Sequence, residues 1–221
     1  MLRRLLITSI LGLALIPLGA ATAATEGKEY VTLEKPLAGK TGKLVKVWSY
    51  ACPFCYKFGV AVDPKVLPKI EKSTGLKFEP IHLETKGDYG RVASTILAAL
   101  ELRDEAAHRS VEDPDSLFAK ARDAWYFAYH KQGERWTEGE EAFVKTASDA
   151  TGIPVSELEK MRAEPAAVAL ADEWKKTYDV AKIQGVPAYV VNGKYLIMTR
   201  EIRNFDGFVN LVEELARMPG A

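Results

Sequence analysis

The sequence is poor in the residues that staple small proteins or hold metals. It has two cysteines and three histidines in 221 residues. An exported chain built on disulfides carries a framework of four or more cysteines, so no such framework exists here. A structural zinc site needs four ligands. His82, His108 and His130 stand at no ligand spacing with one another, so neither a metal nor any other cofactor is expected. Basic and acidic residues balance at 30 each, which argues against nucleic acid as a partner. No apolar run reaches the ~20 residues of a membrane-spanning helix. Repeats, linkers and low-complexity tracts are also missing. What is left is one large domain, or one domain carrying an insertion, long enough to bury a core without crosslinks.

The N-terminus supplies the first positive signal. Arg3 and Arg4 precede an apolar run over 5–18, and Ala21-Thr22-Ala23 fits a small-residue cleavage site. Residues 1–23 read as a secretory signal peptide. The mature chain is then exported, with the periplasm as its expected location, to a compartment that permits disulfides.

Both cysteines lie in "WSYACPFCYKFG", as Cys52 and Cys55. A disulfide between them would enclose only Pro53 and Phe54. Its loop is too short to stabilise the fold much. Covalent haem would need a histidine where Tyr56 stands. His82-Leu83-Glu84 has the H-x-E of zinc deaminases, but it follows the cysteine pair instead of preceding it. A cysteine hydrolase would leave the second cysteine without a role. Thiol–disulfide exchange uses both.

The flanks suit exchange. Residues 44–49 are β-rich, and Pro53 fits the first turn of a helix. That helix is expected to run to about Thr74, kinked at Asp63-Pro64, with a strand over 76–83. The pair therefore sits at a strand-to-helix turn of a βαβ unit. A helix N-terminus favours the thiolate and lowers its pKa. Cys52 is expected as the exposed attacking sulfur and Cys55, a turn deeper, as the resolving one.

Downstream, helical patterns follow one another from 88 to 164, one opening on a capping-box pattern, Thr137 with Glu140. Another helix is expected from Pro165 to about Tyr178. Strands are expected over 188–191 and 195–198 around Asn192-Gly193, a strong hairpin signal. An amphipathic helix with Phe208, Leu211, Val212 and Leu215 on one face closes the chain. Pro187, after Gly185-Val186 and just before a strand, fits either a cis or a trans turn.

Taken together, the leader, the CPFC pair, the helical middle, the Val-Pro turn and the closing ββα resemble the DsbA family of the thioredoxin superfamily. The resemblance covers nearly all of the mature chain. It implies an α/β thioredoxin fold with an inserted all-helical domain. The thioredoxin parts would be 24–86 and 168–221, and the insertion 87–167. It implies a protein-disulfide oxidase with Cys52 as nucleophile. It makes Pro187 a cis-proline facing the pair, and Val186 a backbone partner for an extended substrate. Expected partners are extended or unfolded exported proteins with thiols, and a quinone-linked inner-membrane reoxidase of the DsbB/DsbI kind. The client range would be narrow, of the arylsulfate sulfotransferase kind, and the protein a monomer.

Two departures matter. Family members usually carry Pro-His between the cysteines; here Phe54 follows Pro53 and places no charge by the thiolate. Where DsbA has a buried acid, this chain has Lys46. Lys46 either tunes the thiolate of Cys52 by charge or proton transfer, or reaches out to solvent. Phe54, Tyr56 and Phe58 form a candidate apolar rim, with Phe58 favoured as core. Trp125, Tyr126 and Tyr129 read as core of the insert, and His82 as structural. The rival functions are a disulfide isomerase or reductase, and a non-enzymatic holdase or metal-binding thiol protein.

Overall fold

The computed structural model describes residues 24–220; the expected signal peptide lies outside them. A short strand β1 (Tyr30–Thr32) leads to β2 (Lys43–Trp48), the strand that enters the CPFC turn. Helix α1 (Pro53–Ala61) follows, then α2 (Asp63–Thr74) and β3 (Lys77–His82). The expected single kinked helix is thus two helices, divided at Val62 (φ −107°, ψ −61°). Pro64 has no N–H to continue the ladder, and Gly75, in the left-handed region at φ 73°, ends α2.

The helical middle comprises α3 (Gly90–Ala106), α4 (Leu117–Phe127), α5 (Glu140–Thr151), α6 (Val155–Arg162) and α7 (Pro165–Lys175). α4 runs on into a π-helical turn, Ala128–Gln132. The capping box expected at Thr137 does not form: α5 opens at Glu140 behind Gly139, with no side-chain cap. Trp136 (φ 50°) and Gly139 (φ 115°) turn the chain there instead. A 3-10 turn and the short α8 (Ala181–Gln184) lead to β4 (Ala188–Val191), β5 (Tyr195–Ile197) and α9 (Phe205–Ala216). Asn192 and Gly193 take φ 52° and 67°, as a tight hairpin turn of this type requires.

The five strands form one sheet in the order β1-β5-β4-β2-β3. Only β2 and β3 are parallel; β1, β4 and β5 are joined antiparallel. Each face of the sheet carries its own core. Val45 and Val47 pack with the helical middle, whereas Leu44 packs with α2 and α9. The period of two along β2 places Lys46 on the face of Leu44, beneath α2. This side-chain alternation decides what Lys46 meets.

Candidate active site

β2 ends at Trp48, and the chain turns at once into α1. Cys52 is the N-cap of α1, in extended conformation, with Pro53 behind it in the first helical turn. Both sulfurs are thiols in this structure. The backbone N–H of Cys55 donates to Cys52 Sγ at 3.3 Å. Cys52 Sγ lies 3.3 Å from the Val186 carbonyl, to which its protonated form donates. The Val186–Pro187 peptide is cis, and the Val186 contact sets the turn before β4 against the sulfur of Cys52. The structure therefore brings together Cys52, Cys55, Pro53, Val186 and Pro187, residues 134 positions apart across the Cys52–Val186 contact.

The two sulfurs differ in kind. The pKa of Cys52 is drawn down to about 6, chiefly by a hydrogen bond from the Cys55 thiol. The N–H groups of Cys55 and Phe54 and the charge of Lys86 add to this, against burial. The Cys55 thiol is pushed well up, first by burial and then by the neighbouring sulfur. At neutral pH, Cys52 is mostly thiolate and Cys55 mostly thiol. Cys52 is not the exposed sulfur expected: only 3 % of the residue is accessible, against none of Cys55. The cis turn covers it.

Lys86 reaches the site through the loop after β3. Ser49 Oγ donates to the Lys86 carbonyl at 2.9 Å, and the Tyr50 hydroxyl accepts from the Tyr89 N–H at 3.0 Å. Gly87, at φ 92°, lets this loop close, because a Cβ there would stand 2.5 Å from the Tyr50 hydroxyl. On the other side, His130 donates from Nε2 to the Tyr50 carbonyl at 2.8 Å and stacks on Tyr56 at 4.9 Å. The π-helical turn, which inserts an extra residue per turn, presents that ring. The helical middle thus grips the chain on both sides of the cysteine pair.

No protein-family model matches the chain. Individual proteins do. DsbL of Escherichia coli, a thiol:disulfide interchange protein, is 48 % identical over 211 residues, covering 95 % of this chain and 94 % of its own. DsbL of Lelliottia amnigena is 50 % identical over 198 residues, covering 89 % and 88 %. The chain belongs to the DsbL family. The crystal structure of DsbL from Salmonella enterica serovar Typhimurium superposes with a TM-score of 0.83 at 48 % identity, over 90 % of this chain and all of that one. The fold is accordingly the thioredoxin fold with a helical insertion, and the chain is a DsbA-like protein-disulfide oxidoreductase.

Within this DsbL-family frame, several sequence expectations change. Lys46 does not reach solvent. It is 4 % exposed and ion-paired to Asp63 at the start of α2. Asp63 also accepts from the Tyr189 hydroxyl at 2.5 Å. The charge of Lys46 acts on Cys55, where it opposes the effect of burial. A cation that draws down the pKa of Cys52 is Lys86, which no local pattern in the sequence singles out. Of the candidate rim, only Phe54 is exposed, at 61 %. Tyr56 is held under His130, and Phe58 packs 5.9 Å from Tyr189 in the core. Trp125 and Tyr126 are buried core residues and Tyr129 packs against them. His82 is structural: buried, stacked on Tyr50, and held near a pKa of about 3 by desolvation. Among the described residues no cluster of three or more His, Cys, Asp or Glu could hold a metal, and no helix is long and apolar enough to cross a membrane.

The order of the causes acting on Cys52 sets a ranked prediction. Cys55→Ala removes the hydrogen bond that leads them and should raise the Cys52 pKa more than Lys86→Met, which removes one distant charge. Both variants should shift it upward. Titration of thiolate absorbance in the ultraviolet checks the order; a larger effect from Lys86→Met would refute it.

Proposed function

We propose that this chain is a periplasmic disulfide oxidase that donates a Cys52–Cys55 disulfide to exported proteins. The observation that carries this reading is the contrast between the two sulfurs. A leaving group of low pKa departs readily, and a stabilised reduced thiolate makes the corresponding disulfide a strong oxidant. Cys52, with its pKa drawn down to about 6, supplies both properties. No cofactor is needed for the exchange itself.

A substrate thiolate attacks Cys52 Sγ. The Cys52–Cys55 bond breaks, its electron pair stays on Cys55, and the buried Cys55 takes up a proton. A second substrate thiolate then attacks the substrate sulfur of the mixed disulfide. Cys52 leaves as a thiolate. The substrate has gained a disulfide and lost two electrons, and the enzyme has gained them. Val186, whose carbonyl lies 3.3 Å from Cys52 Sγ, would align an extended substrate by backbone hydrogen bonds beside Pro187, and exposed Phe54 would add apolar contact. The 24–86 and 168–221 segments would form the thioredoxin unit and 87–167 the cap over it. A quinone-linked membrane protein would take the electrons away. Clients would be few, of the arylsulfate sulfotransferase kind.

The test is the equilibrium of the Cys52–Cys55 pair with glutathione. A potential near about −120 mV, the value for DsbA, is the expected result. A potential near about −270 mV, as in thioredoxin, would make the protein a reductant and overturn the oxidase reading.

A further inference from the structure

A groove of about 1200 Å³ opens on the molecule between α2, the edge strand β3 and the loop from α3 to α4. None of the residues of the CPFC turn or the cis Val186–Pro187 turn lines it. One side is apolar, made by Leu67, Ile70, Leu76 and Phe78. The rest is charged and unbalanced: eight acidic side chains line the groove against five basic ones.

Glu101 of α3 is the anomaly in that wall. It is 8 % exposed, and its Oε2 has no hydrogen-bond partner among the described residues. A buried, unpaired carboxyl is costly and uncommon. The cations that act on it are committed elsewhere: Lys40 is ion-paired to Glu79, and Lys43 stands 3.6 Å from the other oxygen of Glu79. Burial, with the charges of Glu79 on β3 and Glu105 on α3, lifts the pKa of Glu101 to about 8, against the pull of Lys40 and Lys43. The groove thus holds a neutral acid that a cation would ionise.

The backbone adds a second kind of contact. Among the described residues, no strand pairs with the outer side of β3. Lys77 donates its N–H to Gly42 of the β2 side at 2.9 Å. In a parallel ladder alternate residues bond to the same neighbour, so Phe78 turns its N–H and C=O to the free edge. Pro80 has no N–H and limits any added strand to a short one.

We propose that this groove docks an extended polypeptide segment bearing a lysine or arginine, with the cation on Glu101 and an apolar neighbour against Phe78. The volume exceeds the roughly 300–1,000 Å³ of small-molecule pockets, and the apolar wall and free strand edge suit a peptide and not a bare polyamine. On the oxidase reading, which this consequence alone requires, a client held here as well as at Cys52 gains effective concentration at the sulfur.

The experiment uses the Cys52→Ser/Cys55→Ser protein, so that failure of the redox reading leaves it untouched. The probe is acetyl-Val-Leu-Lys-Leu-Val-amide, followed by backbone amide shifts. Expected are shifts at Phe78, Glu101 and Val111, binding that strengthens from pH 6 to 9, and about tenfold weaker binding of the norleucine analogue. Glu101→Gln, which mimics the neutral acid already present, should fold normally. It should lose the same tenfold and the pH dependence. Equal binding of the lysine and norleucine peptides would overturn the proposal. So would shifts centred on Cys52, spermidine binding as tightly as the peptide, or no shift at millimolar peptide.

Discussion

Lys46→Met is expected to lower the melting temperature of the protein by about 6–20 °C, from a loss of about 3–5 kcal/mol. Lys46 and Asp63 are both nearly sealed from water. The methionine fills the volume but leaves the Asp63 carboxylate buried with, among the described residues, the Tyr189 hydroxyl as its remaining side-chain donor. Most of the loss is therefore the cost of an uncompensated charge and not the worth of the pair. That distinction is testable: Lys46→Met/Asp63→Leu/Tyr189→Phe removes every polar member together and should recover most of the lost stability. If the triple variant is as unstable as the single one, the desolvation account is wrong. A redox effect accompanies the structural one. Without the Lys46 charge, the pKa of Cys55 should rise further, because that charge opposes burial there. Closing of the ring by Cys55 should slow, whereas the pKa of Cys52 should barely move. A shift at Cys52 as large as that at Cys55 would restore the role first expected of Lys46.

The buried partner of Lys46 shows where a sequence stops speaking. The alternation of β2 was visible, and it put Lys46 on one face. What lay on that face was not. Asp63 read as a kink before Pro64, because its contact with Lys46 depends on how α2 packs over the sheet. The cysteine turn was legible for the opposite reason. Strand, CPFC and helix N-terminus are contiguous, so local rules place the sulfurs at the cap of α1. The β4–β5 hairpin was legible too, since Asn192-Gly193 fixes it within two residues. Lys86 and His130 come from loops and turns that approach the site only in three dimensions. Gly87 is the one local sign of the first approach, and it is only interpretable once Tyr50 is seen against it. The π-helical turn that presents His130 interrupts what reads as an uninterrupted helical stretch. The strand β1 was missed because three residues are too few for a period to show.

Raising the pH from 6 to 8 should stabilise the reduced protein relative to its oxidised form by about 2 kcal/mol, or about 4–8 °C in melting temperature. The sign follows from Cys52. Its folded pKa, about 6, lies below the roughly 8.5 of an unfolded cysteine. Stability from the thiolate is fully present above the unfolded value and is lost as pH falls through the folded one. Between the two, linkage gives about 1.4 kcal/mol per pH unit, and partial screening by water at the mouth of the site trims the sum. Cys55 acts at the other end. Its folded pKa is raised, so it stays neutral in both states until the unfolded cysteine ionises, and then costs stability. The difference between reduced and oxidised melting temperatures should therefore climb from pH 6, level off near about pH 8.5 and fall beyond it. Glu101 and His130 also have displaced pKa values, but they titrate in both redox forms, and their contributions cancel in the difference. Paired calorimetric scans of the two forms across this range decide the matter. A flat difference would mean that Cys52 is an ordinary thiol in the folded protein, and the thermodynamic basis for its oxidising power would be gone.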